Sequence, residues 1–163
     1  MKKLFLLSII AVFGMSAVNA QDGQFNLGAN LSLPVGDADT AFGLALGVEA
    51  NYLFDIADGV KVGPSASYLT YLAKSDFKDF LDNVSFLPLA AAGRFAVSDQ
   101  FSLGADLGYA VGLSPDGNDG GFYYRPVAAY SVSESLAIQL SYSGVSVDGG
   151  TFSNIGLGAM FAL

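Results

Sequence analysis

The sequence contains no histidine, no cysteine and no tryptophan in its 163 residues. Without histidine or cysteine it has no Ser-His pair, no thiolate nucleophile and no ordinary ligand set for zinc, copper or haem. It also has no disulfide and no cysteine that could carry the lipid of a lipoprotein. We therefore expect no catalytic residues, no metal centre and no cofactor, and we expect that the protein is not an enzyme.

Charged residues are scarce as well. They make up 13% of the chain, against about a quarter in ordinary soluble proteins. The 7 basic and 15 acidic residues give a formal net charge of −8, so no basic surface is available for nucleic acid. The chain is nevertheless 52% hydrophobic and contains 20 glycines. This composition is unusual for a soluble domain.

The one long apolar run lies at the beginning, over residues 4–18, directly after Lys2 and Lys3. It is shorter than the roughly 20 residues of a membrane-spanning helix. It ends at residues 18–20, Val-Asn-Ala, which suits a signal peptidase. We predict that residues 1–20 are a cleaved signal peptide and that the mature chain begins at Gln21. A membrane anchor is the alternative.

Residues 21–163 have no apolar run long enough for a membrane helix, although they are rich in apolar side chains. A closed β-barrel can cross a membrane with such a sequence, since it pairs every backbone group between strands and needs no long apolar run. Eight segments alternate bulky apolar residues with small or polar ones, as a wall between lipid and lumen requires. They are residues 25–33, 42–54, 60–72, 85–97, 101–113, 122–132, 136–143 and 154–163. We predict an all-β fold, an eight-stranded antiparallel up-and-down transmembrane barrel over residues 21–163.

The connections between these segments alternate in length. Residues 55–59, 98–100 and 133–135 are short, whereas 34–41, 74–84, 114–121 and 148–152 are mostly longer. Outer-membrane barrels have short periplasmic turns and longer outside loops, so we expect both termini in the periplasm. A soluble β-sandwich or lipocalin-like barrel is the alternative. It is disfavoured because its core would consist of the small and polar face.

The alternation directs several charged side chains into the lumen, where an unpaired charge is unfavourable. We predict a structural network of lumen charges. Its members are Glu49, Arg94, Asp106, Lys61 and Arg125. We expect Glu49, Arg94 and Asp106 at similar height, Lys61 lower and Arg125 nearer the outside. The network is interpreted as an internal brace that plugs the lumen, and a gated polar pathway is the alternative.

The expected outside loops are acidic. They contain Asp37, Asp39, Asp76, Asp79, Asp82, Asp116, Asp119 and Asp148. Asp116, Asn118 and Asp119 weakly resemble a turn of alternating oxygen ligands for Ca²⁺, but the distal glutamate of such loops is missing. Solubility and loop flexibility are the favoured explanation of the acidic loops. The apolar residues of the segment 77–81 are expected to pack back on the barrel rim, with contact to lipid headgroups or an adhesive patch as alternatives.

Aromatic residues recur near the predicted strand ends, where they fit interfacial girdles. These are Phe42, Tyr52, Phe54, Tyr68, Phe86, Phe95, Phe101, Tyr124 and Tyr130.

The strands repeatedly place glycine near aromatic residues, and this pattern resembles a known family. The resemblance is carried in particular by the segments 86–95, 121–126 and 156–163. The family is that of small outer-membrane β-barrel proteins, the OmpX/OmpA-like eight-stranded group, especially the barrel-only, porin-family forms common in Bacteroidota. The resemblance covers residues 24–163. The last segment looks like the assembly signal of such barrels, although it ends in Leu163 and carries its aromatic residue, Phe161, two places earlier.

The resemblance implies the outer membrane of a Gram-negative bacterium as the location. It implies outer-membrane lipids, lipopolysaccharide and the barrel-assembly machinery as partners, and a monomer. The leading function is a non-enzymatic structural or surface-interaction role, and a binding module whose acidic loops engage a surface partner is a separate alternative. A narrow, porin-like channel is the alternative. A lipid-acting enzyme is least favoured, because such barrel enzymes resemble histidine-dependent hydrolases.

Overall fold

Eight antiparallel strands close into one barrel in the computed structural model, which describes residues 23–77 and 80–163. Each strand pairs with its sequence neighbours, and the first pairs with the last. The strands are β1 Gly23–Val35, β2 Phe42–Ala57, β3 Val60–Ala73, β4 Val84–Ala96, β5 Phe101–Ser114, β6 Gly121–Ser131, β7 Leu136–Val147 and β8 Gly150–Ala162. The predicted fold class is confirmed. The predicted signal peptide, Gln21 and Asp79 lie outside the described residues.

The connections define two different ends of the barrel. The turn end carries three connections of two to four residues, 58–59, 97–100 and 132–135, together with the C-terminus. The loop end carries residues 36–41, 74–83, 115–120 and 148–149, with short 3₁₀ helices at Gly36–Thr40 and Ser75–Phe77. Among the described residues, no helix has the length and apolar character needed to cross a membrane.

The last loop-end connection is shorter than the sequence predicted. Residues 148–152 were expected to form a loop, but strands β7 and β8 stay paired as far as Val147 and Gly150. Only Asp148 and Gly149 are left to form the turn, and Gly149 adopts the positive φ that such a tight hairpin requires.

The predicted alternation between the two faces of the wall is present in the strands. Leu31, Leu107 and Leu157 point outward and are 55% to 61% exposed, on β1, β5 and β8. Inward positions between such residues are buried, for example Asn26 and Asp106. Bulky aliphatic and aromatic side chains therefore cover the outside of the barrel, as a wall in contact with lipid requires.

Two of the nine expected girdle residues are inside the barrel instead. Phe42 is 4% exposed and Phe86 is fully buried. The pairing of β2 with β3 shifts between Phe42 and Leu44, which reverses the side on which Phe42 projects. Phe86 follows the alternation of its own strand and points inward like Pro88.

The remaining seven girdle residues lie on the outward face, half-buried or exposed. They are Tyr52, Phe54, Tyr68, Phe95, Phe101, Tyr124 and Tyr130.

Replacement of Leu157 by arginine tests whether the outward face contacts lipid. Leu157 lies in the middle of β8 and is 61% exposed. A cation at the bilayer midplane of such a barrel lowers the free energy of unfolding by about 2–4 kcal/mol, whereas on a surface in water the change is small. Guanidinium unfolding of Leu157→Arg in liposomes measures this. The control is Phe80→Arg at the loop end, where Phe80 is 88% exposed. Equal stability of the two variants would contradict a lipid-facing wall.

Candidate functional site

Four charged side chains from four strands meet inside the barrel, and we call them the charge network: Glu49, Arg94, Asp106 and Arg125. Arg125 Nη1 donates to Glu49 Oε2 and, at 3.3 Å, to Asp106 Oδ2. Arg94 Nη1 donates to Asp106 Oδ1 at 2.6 Å. Asp106 therefore bridges the two guanidinium groups.

The charge network is almost completely buried. The side chain of Arg94 is 9% exposed, that of Arg125 is 5% exposed, and both carboxylates are 2% exposed or less. Charges removed from water need compensating partners, because their desolvation is unfavourable. Two cations and two anions provide this compensation, and the network is neutral as a whole.

Uncharged amides extend the charge network toward the neighbouring strands. Gln139 Oε1 accepts a hydrogen bond from Arg125 Nη2 at 2.9 Å. Asn51 Nδ2 donates to Glu49 Oε1 at 3.5 Å, and Asn26 Nδ2 donates to Asn51 Oδ1 at 2.9 Å. Sequence reasoning named none of these three amides. The signal that could have found them is their inward position beside the predicted charges.

The structure brings together four of the five predicted lumen charges. Lys61 lies apart at the turn end, where it pairs with Asp55 at 3.1 Å and is 37% exposed. Arg125 pairs directly opposite Asp106 in the register of β5 and β6 and contacts both Asp106 and Glu49. Glu49 contacts Arg125 and not Arg94. The expected heights were counted from the turns and ignored the stagger between tilted strands.

Gly104 makes room for Arg94 in this crowded interior. The two residues pair across β4 and β5. A Cβ atom at position 104 would lie 2.3 Å from the carbonyl oxygen of Gly93, 2.6 Å from Arg94 Cδ and 3.1 Å from Arg94 Nη1. A side chain there would collide with the backbone of β4 as well as with the Arg94 side chain, so this close approach requires the glycine.

Four aromatic rings fill the lumen on the loop-end side of the charge network, and we call them the aromatic plug: Phe42, Tyr71, Phe86 and Phe152. Their contacting ring centroids are 5.3 to 6.3 Å apart. Tyr71 Oη donates to the carbonyl oxygen of Phe152 at 3.0 Å and accepts from Asn154 Nδ2 at 2.7 Å. Tyr71 and Phe86 are fully buried. The sequence analysis placed Phe42 and Phe86 in the outward girdle and assigned no role to Tyr71 and Phe152.

The spaces at the two ends of the barrel have no lining residue in common. A turn-end vestibule of about 260 Å³ reaches Arg94 and Gln139. A space of about 10 Å³ lies in the middle of the lumen beside Arg125 and Tyr123, and clefts of about 600 and 240 Å³ lie at the loop end beyond Phe152. The middle space shares no lining residue with the others and is large enough for about one water molecule. None of these four spaces extends from one end of the described lumen to the other.

The loop suggested for Ca²⁺ is organised by Asn118. Its Nδ2 donates to the carbonyl oxygens of Ser85 and Ser114 at 3.2 and 3.0 Å, and its Oδ1 accepts from the Gly120 N–H at 3.1 Å. Asp116 and Asp119 are exposed. Over residues 23–77 and 80–163, no three acidic side chains gather in a metal-binding group. The amide of Asn118 therefore serves to anchor the loop.

The apolar segment of the second outside loop is only partly buried, and the expected packing back on the rim is wrong for Phe80. Phe77 and Leu81 are 38% and 37% exposed, and Phe80 is 88% exposed. Their side chains are thus presented at the loop end.

The family model described as outer membrane protein beta-barrel domain matches residues 5–162. No curated protein matches the sequence at a significant level.

Several solved barrels are similar to this one. The outer membrane protein Ail of Yersinia pestis in a phospholipid bilayer nanodisc has a TM-score of 0.61 and 16% identity, over 87% of this chain and 100% of that chain. Ail in complex with the heparin analogue sucrose octasulfate has a TM-score of 0.57 and 16% identity, over 89% and 100%. The N-terminal β-barrel domain of Pseudomonas aeruginosa OprF has a TM-score of 0.55 and 15% identity, over 89% and 100%. At these identities the similarity shows the fold alone.

Replacement of Arg125 by methionine tests the contribution of the charge network to stability. The substitution removes the cation from Glu49 and leaves a buried carboxylate without a charged partner, which lowers the free energy of unfolding by about 3–5 kcal/mol. The matched control is Lys61→Met, which breaks the half-exposed pair with Asp55 and costs less than about 1 kcal/mol. Guanidinium titration of both refolded variants measures the difference. Similar small losses in both would show that the network contributes little.

Proposed function

We propose that this chain, which belongs to the outer membrane protein β-barrel domain family, is a closed structural barrel of the outer membrane that acts through its loop end. In this proposal residues 1–20 are the cleaved signal peptide, the turn end faces the periplasm and the loop end faces the outside. Its membrane partners are outer-membrane lipids and lipopolysaccharide along the wall, and the barrel-assembly machinery during insertion. It acts as a monomer without enzymatic activity.

The observation that carries the proposal is the filled lumen. The charge network occupies the middle of the barrel and the aromatic plug occupies the loop-end side, with only about 10 Å³ of space beside Arg125. A hydrated ion or a small solute needs a continuous water-filled path, and neither layer leaves one. These two layers favour a structural role over a narrow porin-like channel.

The burial and the ion pairing of the charged groups support the proposal of a non-enzymatic role. A general acid or base must reach a substrate. The carboxylates of Glu49 and Asp106 are each held by a guanidinium inside the barrel and are 2% exposed or less. These groups serve to hold the strands together.

Electrostatics of the loop end support a surface role with a cationic partner. The loops at residues 36–41, 74–83, 115–120 and 148–149 contain eight aspartates and two lysines. Lys74 Nζ is already paired with Asp39 Oδ1 at 3.1 Å. A surface of one sign attracts partners of the opposite sign and repels those of the same sign. The polyanion with which Ail was solved therefore does not suit this loop end.

Planar-bilayer recordings test whether the lumen is closed. The refolded wild-type barrel is expected to show no stable open steps, because the charge network and the aromatic plug block it in series. The variant Phe86→Ala widens only the plug and is expected to stay closed as well, since the network is intact. Stable conductance steps of the wild type, in preparations free of contaminating porin, would refute the closed barrel.

Titration with sucrose octasulfate tests the sign of the charge at the loop end. We expect no binding by calorimetry at low ionic strength, where electrostatic effects are strongest, because the aspartates repel the sulfate groups. The double variant Asp116→Lys, Asp119→Lys is expected to gain salt-sensitive binding. Tight binding by the wild-type barrel would contradict a loop end that selects cationic partners.

A further inference from the structure

Two nearly buried amide side chains, Gln139 and Asn26, line the turn-end vestibule. Gln139 is 8% exposed and Asn26 is 7% exposed. Gln139 Oε1 accepts a hydrogen bond from Arg125 Nη2 at 2.9 Å. Asn26 Nδ2 donates to Asn51 Oδ1 at 2.9 Å and to the carbonyl oxygen of Gln24 at 3.3 Å. Each amide therefore uses only one of its two polar atoms within the barrel.

These partners determine which atom of each amide is left over. A guanidinium can only donate, so the atom of Gln139 that meets Arg125 is its oxygen. A backbone carbonyl can only accept, so the atom of Asn26 that meets Gln24 is its nitrogen. The remaining atoms are Gln139 Nε2, which is a donor, and Asn26 Oδ1, which is an acceptor.

Both remaining atoms face the vestibule. Neither has a hydrogen-bond partner among the described residues, yet neither belongs to the fully buried atoms without a partner, which in that part of the chain are Arg94 Nη2 and Arg125 Nε. Gln139 Nε2 and Asn26 Oδ1 are therefore accessible. Of the four spaces described above, the vestibule is the one that Gln139 and Asn26 line. It thus receives one unpartnered donor and one unpartnered acceptor from side chains that are more than nine-tenths buried.

We propose that the turn-end vestibule binds a small neutral amide with the chemistry of a peptide group. The ligand's carbonyl oxygen accepts from Gln139 Nε2, and its N–H donates to Asn26 Oδ1. A carboxylate satisfies the donor but places its lone pairs against Asn26 Oδ1, and an ammonium satisfies the acceptor but not Gln139 Nε2. A site that hydrogen-bonds both halves of a ligand rejects a ligand that lacks one half, because one of its own polar groups is then left unpaired.

The size and the apolar lining of the vestibule suit such a ligand. Pockets for drug-sized molecules usually measure about 300–1,000 Å³, so a space of about 260 Å³ fits a smaller molecule. Leu53 and Met160 are 5% and 6% exposed and add apolar surface to the lining. The vestibule lies at the end opposite the loops, so the site does not depend on the proposed surface role.

The charges at the vestibule do not provide a site for an ion. The two cations that line it are each paired with a carboxylate, Lys61 with Asp55 and Arg94 with Asp106. Asp99 also lines the vestibule, but it is exposed to water and therefore screened by salt. Binding of a neutral amide rests on directed hydrogen bonds, and we expect it to be independent of ionic strength.

NMR titration of the refolded, ¹⁵N-labelled barrel with N-acetylalanine amide tests the site. The side-chain N–H₂ signals of Gln139 and Asn26 are expected to shift and to saturate, with the same affinity at low and high salt. Acetate and methylammonium each match only half of the hydrogen-bonding pattern. We expect them to bind about fivefold more weakly or less, which corresponds to the loss of about one hydrogen bond. Glycerol, which has hydroxyl groups and no amide, serves as the neutral comparison.

The variant Gln139→Glu changes the donor and leaves the rest of the site in place. Its side chain still accepts from Arg125 but presents a carboxylate oxygen to the vestibule, so the affinity for the amide is expected to fall about fivefold or more. This loss is read from the Asn26 signals. The matched control is Lys61→Gln, which removes a charge from the same lining and alters neither amide. It is expected to keep the affinity within about twofold, as for a half-exposed charge.

Heat-modifiable migration on gels shows whether each variant is folded. If Gln139→Glu is not, the comparison of the amide with acetate, methylammonium and glycerol on the wild-type barrel decides. The proposal is overturned by any of three results. They are no saturable shift with the amide, equal affinity for one of the three comparison compounds, and wild-type affinity in folded Gln139→Glu.

Discussion

The width of an eight-stranded barrel limits what its inward-facing side chains can do. Such an interior is just wide enough to be filled by side chains, so a large residue on one strand requires a small one nearby. Arg94 fits because Gly104 lies opposite it. Tyr71 and Phe86 are fully buried in a lumen that also contains the buried alanines Ala45 and Ala110. The mixture of glycine, alanine and a few bulky inward residues follows from this limit, and it produces an interior that is filled by side chains.

The same narrowness determines how charge is arranged. Inside the barrel an ion pair is screened little by water, and an unpaired charge is strongly unfavourable. The charge network satisfies this condition by equal numbers of opposite charges, with Asp106 between the two arginines. The five N–H donors of an arginine nevertheless exceed what the oxygens can accept. The unpartnered Nη2 of Arg94 and Nε of Arg125 are the result, and only Arg94 lines the turn-end vestibule.

The fold was predictable from the sequence to a large extent, because the two faces of a strand alternate with a period of two residues. This period located the eight strands, their outward face and the inward position of Arg94, Asp106 and Arg125. The predicted family is confirmed by the match to its family model. The Bacteroidota assignment stays a prediction. Partners across the lumen could not be predicted, since they depend on strand stagger, which alternation does not encode. The inward position of Phe42 was missed because one shift in pairing reverses the alternation.

The order of the two layers along the lumen separates the roles of the two ends. The aromatic plug lies toward the loop end, and the charge network lies on its turn-end side. Phe152 lines the inner side of the loop-end clefts, and Arg94 lines the inner side of the vestibule. The loop end is acidic, whereas the lining of the vestibule is polar and includes charges of both signs, Lys61 and Asp99. The two ends therefore differ in charge, and the aromatic plug and the charge network lie between them.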